Sequence, residues 1–126
     1  LAEEVADLGR SELRGVERHI ELLFIHLIKL AVSPAVGPPN QWISEARAHA
    51  AQARRGFSPG MRQHIDIADL WREAVDEAND DLAGFGDPVI ARDLPCPFEL
   101  DDLLTRSFEP KAAMLAVQRV LPRREA

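Results

Sequence analysis

The apolar positions of this chain recur at helical intervals from its first residue. Leu1, Val5, Leu8, Val16, Ile20, Leu23, Leu27 and Leu30 follow one another at spacings of three, four or eight, which predicts a long helix over residues 1–32. Ser33-Pro34 and Gly37-Pro38-Pro39 then stop it. Gly9 and Gly15 each weaken that helix by about 1 kcal/mol relative to alanine, so one or both are expected to mark a kink or a close helix crossing. Asn40 is placed to cap a second helix over residues 41–55, with Trp42, Ile43, Ala46, Ala50, Ala53 and Phe57 on one side. The connection is short and the alanines are small, so the two helices are expected to pack antiparallel, with Ala46, Ala50 and Ala53 against residues 20–27.

Ser58-Pro59 pairs a cap with proline at the first helical position and opens a third helical region that runs to Gly84 or Gly86, with a break near Asp66. Residues 87–97 are proline-rich and irregular, residues 98–107 read as a short helix, and residues 111–121 as a last helix without a firm cap. Residues 111–126 are expected to be a loosely attached tail. No alternation of strand length and no internal repeat is present. The pattern therefore predicts an all-α fold: a small irregular helical bundle of about four to five helices, with a long first helix and no sheet, in one domain over residues 1–126.

One stretch of the first helix, HIELLFIHLIKLAV, is apolar around nearly its whole circumference: Leu22, Leu23, Phe24, Ile25, Leu27, Ile28 and Leu30 leave no polar face. Such a helix must be covered on every side. The second and third helices supply two covers and the short helix part of another. The chain opens at Leu1 without a methionine, inside a helical pattern, so an upstream segment is the expected source of the rest. Without that segment an apolar face is left over, and a homodimer or a swapped N-terminal element is expected, with Leu22 and Ile25, or Leu1, Val5 and Leu8, at the contact. The greasy run over residues 20–32 holds Glu21, His26 and Lys29 and is too short to span a bilayer.

Composition narrows the class. With 126 residues, 46% apolar and 29% charged, the chain has core material enough to fold without disulfides or metals. A single cysteine excludes an intramolecular disulfide, no Cys/His zinc spacing occurs, and a reducing cytoplasm is the expected compartment. A net charge of −6 repels polyanions. Arg47, Arg54, Arg55, Arg62, Arg119, Arg123 and Arg124 have no interleaved aromatic residues to stack bases, so nucleic acid is not an expected partner.

Three features carry candidate chemistry. Cys96, between Pro95 and Pro97, stands near the start of the short helix, whose dipole favours thiolate, while Glu99, Asp101 and Asp102 oppose it. A nucleophile also needs a base, and nothing in the sequence brings His19, His26, His49 or His64 to it, so Cys96 reads as a packed turn residue. His19 and His26 share a face, but seven residues separate them by about 10.5 Å, too far for one ion; Glu45 and His49, four apart, sit side by side without the repeated Glu-x-x-His of di-metal bundles. Asp66, Asp69, Glu73, Asp76 and Asp80 line one helix face opposite Ile67, Leu70, Trp71, Ala74, Ala78 and Leu82. This reads as a solvated surface, with an acidic docking strip as the functional alternative. No catalytic residue, metal ligand or cofactor is assigned.

LAEEVADLGRSE at residues 1–12, HLIKLAVSP at 26–34, Trp42 with Arg47, SPGMR at 58–62 and LPCPFELDDLL at 94–104, in that order and spacing, resemble the bacterial family catalogued as domain of unknown function twenty-nine. The resemblance runs from Leu1 to Pro110 and implies a small, almost wholly helical fold without an assigned activity, catalytic residue or cofactor. Members carry a segment before the Leu-Ala-Glu-Glu element. Leu30 stands where the family usually has tryptophan, and Glu99 where threonine often follows the Cys-Pro-aromatic triplet, which weakens a helix cap. The leading expectation is a non-enzymatic protein–protein interaction module, self-associating or bound to another protein. The alternative is an enzyme or effector using Cys96 or a histidine–carboxylate pocket.

Overall fold

A computed structural model describes residues 2–32, 39–84 and 86–122, and side chains among them from residue 9 onward except at 39 and 40. The expected all-α bundle is the fold: α1 (Ala2–Val32), α2 (Pro39–Gly56), a 3-10 helix (Pro59–His64), α3 (Ile67–Gly84), α4 (Leu100–Leu104) and α5 (Pro110–Val120), with no strand among the described residues.

The helix that is apolar all round is the centre of the molecule. Ile20, Leu23, Phe24, Leu27 and Ile28 are fully buried, and α2, α3 and α5 all pack on α1. Ile25, expected at an intermolecular contact, is only 4% exposed and belongs to the chain's own core. Leu22 is half-buried, and the side chains of Leu1, Val5 and Leu8 lie outside the described residues. The cover that the sequence left to an upstream segment comes in part from α5, where Pro110, Ala113 and Val117 are buried. Residues 110–120 are thus a packed helix and not a loose tail, and Gln118 Nε2 donates to the Ala31 carbonyl at 3.4 Å. α5 also has a cap: the Glu109 carboxylate accepts from the Lys111 N–H, with Pro110 in the first turn.

The α1–α2 pair is antiparallel, as its register shows. Val16 lies against Gly56, His19 against His49, His26 against Glu45, and Lys29 over the Trp42 ring. Ala46, Ala50 and Ala53 are buried, and side chains this small let helix backbones come near one another. Gly9 and Gly15 play no such part: a Cβ at either would meet nothing within 4 Å, and α1 runs through both as one helix. The close crossing is at Gly56, where a Cβ would lie 3.0 Å from Val16 Cγ2.

α2 begins at Pro39, so Asn40 lies inside the helix and not before its first turn. The break at Asp66 is real, and Asp66 starts α3 by accepting the Asp69 N–H at Oδ1, 3.1 Å away. Ser58 precedes Pro59 at the N-cap of the 3-10 helix, without a capping hydrogen bond from its hydroxyl. α4 is shorter than expected. The weakened cap at Glu99 is compensated by Asp102, whose carboxylate accepts the Glu99 N–H at 2.8 Å.

The irregular segment after α3 is tied down by α3 itself. Trp71 Nε1 donates to the Leu94 carbonyl at 2.8 Å, Asn79 brackets Ile90, and the Phe98 ring stacks on Phe24, which also meets Trp71 edge to face at 5.1 Å.

Candidate functional site

The antiparallel register of α1 and α2 brings together residues that the sequence kept apart. His19 and His26 stand seven residues apart on α1, and His49 of α2 enters between them. His19 Nδ1 and His49 Nδ1 are 3.1 Å apart, with the rings tilted by 37°. The His26 ring stacks on the other side of His49, centroids 5.3 Å apart and planes within 12°. Glu45 completes the group, but its partner is His26 across the helices, Oε2 to Nε2 at 3.4 Å, and not His49 along its own helix. The long α1 spacing that argued against a shared site is thus bridged from α2. The signal was present in the alanine face, whose register sets which α2 residue meets which α1 residue.

Burial dominates the electrostatics. It holds both His26 and His49 below the ordinary imidazole range; Glu45 pulls each back toward the charged form, while a neighbouring histidine pushes further down. His49 also feels Arg18, and His26 feels Lys29. Both rings are therefore neutral near pH 7. His26 Nδ1 is buried without a hydrogen-bond partner. Beside His19 the surface is concave, a cavity of about 460 Å³ lined by Glu12, Gly15, Val16, His19, Gln52, Arg55 and Gly56. No group of three or more His, Cys, Asp or Glu side chains is arranged to hold a metal ion among the described residues.

Cys96 is half-buried, donates its thiol to the Phe98 carbonyl at 3.4 Å, and is pushed up by burial. Asp102 adds to that rise and the Phe98 backbone contact offsets part of it. It precedes α4 by four residues, so no helix dipole is aimed at the sulfur. The acidic face of α3 is largely occupied within the chain. Asp66 caps the helix, Asp69 pairs with Arg72 at 3.3 Å and Asp76 with Arg92 at 3.4 Å, while Arg18 forks onto Glu77 at 3.0 and 3.1 Å. Glu17 and Glu21 are raised above the ordinary carboxylate range by burial first and then by Glu73.

Among the described residues the exposed large apolar side chains are Val89, 59% exposed, and Leu115, 46% exposed. Val89 stands on a concavity of about 380 Å³ with Ala31, Val32, Ile90, Leu121 and Pro122. Sequence reasoning passed over Val89 because a lone valine in a proline-rich loop carries no periodicity.

No curated protein matches this chain. The chain is similar to the crystal structure of an alpha-helical protein of unknown function from Rhodospirillum rubrum ATCC 11170, with 31% identity, a TM-score of 0.82, and 96% of this chain and 75% of that one covered. A family model described as Domain of unknown function DUF29 matches residues 1–109. The motifs, the helical fold and this match agree, and the chain belongs to that family.

Proposed function

We propose that this chain is a non-enzymatic helical module that binds protein, a second copy of itself included. The observation that carries the reading is the apolar concavity at the α1–α5 end, with Val89 exposed beside Leu121 and Pro122. An exposed aliphatic side chain on an open apolar hollow is a surface that a protein partner can cover. The same reading takes the cytoplasm as the compartment, from a lone cysteine kept as a free thiol. Among the described residues no helix is long and apolar enough to cross a membrane.

Light scattering coupled to size exclusion tests it, with Val89→Asp beside the parent. A parent heavier than the 14.0 kDa chain that Val89→Asp returns to monomer supports self-association. If Val89→Asp keeps every association the parent makes, the concavity is not the contact.

A second reading, an effector acting through a histidine–carboxylate pocket, is favoured by the convergence of His19, His26, His49 and Glu45. The Cys96 form of that reading is disfavoured by the bonded, raised thiol.

A further inference from the structure

We propose that His19 and His49 form a two-imidazole site for a divalent transition metal of the zinc and nickel class, held between α1 and α2 with water completing its shell. The two Nδ1 atoms lie 3.1 Å apart. Two imidazole nitrogens this close must share something: a proton carried by one, or a metal ion bonded to both. Zinc–nitrogen bonds of about 2.0–2.1 Å at a tetrahedral angle put the two nitrogens about 3.3 Å apart, so the observed gap needs only a few tenths of an ångström of adjustment.

The surroundings suit a cation with imidazole ligands. Both rings project from long helices that pack on each other, so the pair is preorganised by backbone packing and not by loop closure. His26 stacks on His49 and fixes its ring plane, and Glu45 adds a negative charge that acts on both His26 and His49. Arg18 opposes a cation at His49, and is itself engaged by Glu21 and Glu77. The cavity beside His19 opens that ring to solvent, with Glu12, Gln52 and the opposing cation Arg55 on its wall. Nitrogen ligands select zinc, nickel or copper over magnesium and calcium, which prefer oxygen.

The test is calorimetric titration of ZnCl2 into tag-free, chelator-stripped protein, compared with His19→Gln, His49→Gln and, as a control on the exposed ring of the 3-10 helix, His64→Gln. The expected result is one zinc per chain, affinity weakened about tenfold or more in each of the first two variants, and no change in the third. Absence of binding up to about 1 mM zinc shows that a proton bridges the pair and overturns the proposal. So does a folded His19→Gln protein that binds as the parent does. Circular dichroism checks folding; if His49→Gln does not fold, His19→Gln, on the half-exposed ring, decides alone.

Discussion

Asn79 holds Ile90 from both sides: its amide Nδ2 donates to the Ile90 carbonyl at 2.9 Å, and its Oδ1 accepts the Ile90 N–H at 2.8 Å. An asparagine paired in this way acts as a strand partner for a segment that has none. It satisfies backbone groups that the irregular segment cannot satisfy alone. Replacing Asn79 with alanine leaves both part-buried groups unpaired and is expected to cost about 1–3 kcal/mol. Urea denaturation measures the loss, and amide exchange should rise at Ile90 before it rises in α1. Unchanged exchange at Ile90 would show that Trp71 and Leu94 hold the segment without it.

Gly15 and Gly56 are predicted to answer alanine in opposite directions. At Gly15 an added Cβ meets nothing within 4 Å, so Gly15→Ala should stabilise by about 0.5–1 kcal/mol through backbone entropy. At Gly56 it would meet Val16 Cγ2 at 3.0 Å, and Val16 is a buried, β-branched side chain with little room to turn. Gly56→Ala should therefore lower the Tm, and Val16→Ala in the same chain should recover part of that loss. A Gly56→Ala protein more stable than the parent refutes the close crossing.

The buried imidazoles make stability depend on pH. Their folded pKa values lie below the ordinary value of 6.5, so the unfolded chain takes up protons first as the pH falls. The stability contributed by keeping His26 and His49 neutral is complete above pH 6.5 and is lost as pH falls from there through the lowered folded values. Glu17 and Glu21 act in the opposite sense and lower down, since their folded pKa values are raised from 4.5 and protonation relieves their repulsion with Glu73. Urea midpoints in chelator-containing buffer should fall between pH 7.5 and 5.5, and should fall less in His26→Gln. A midpoint that is flat or rises over that interval contradicts the shift.

Cys96 should be a slow thiol. Its pKa is raised by burial and its S–H is engaged with the Phe98 carbonyl, so the thiolate fraction at neutral pH is below that of a free cysteine. Iodoacetamide should label native protein more slowly than urea-unfolded protein, and Cys96→Ser should alter stability alone. Rapid stoichiometric labelling of the native chain would count heavily against a structural role.

Helix identity was legible in the sequence because it is local. The stripe from Val16 to Leu30, the stop at Gly84 and the Asp66 break each depend on neighbours within a few residues, and the structure keeps them, while the stop expected over residues 33–38 lies outside the described residues. The alanine face of α2 also announced an antiparallel partner. What only the tertiary structure decided is what covers α1 and what α1 brings together. α5, with weak sequence signals, fills a place on α1 because Ala113 and Val117 meet an apolar surface that no local rule ranks. Ile25, apolar and on a helix with no polar side, could be read as exposed or buried until its neighbours were placed. The histidines were each visible, yet their meeting depends on the rotation and register of two helices: a shift of one residue turns a side chain by about 100° around the axis. Periodicity assigns faces to helices, but long-range packing assigns faces to each other, and His19, His26, His49 and Glu45 become one group only at that second step.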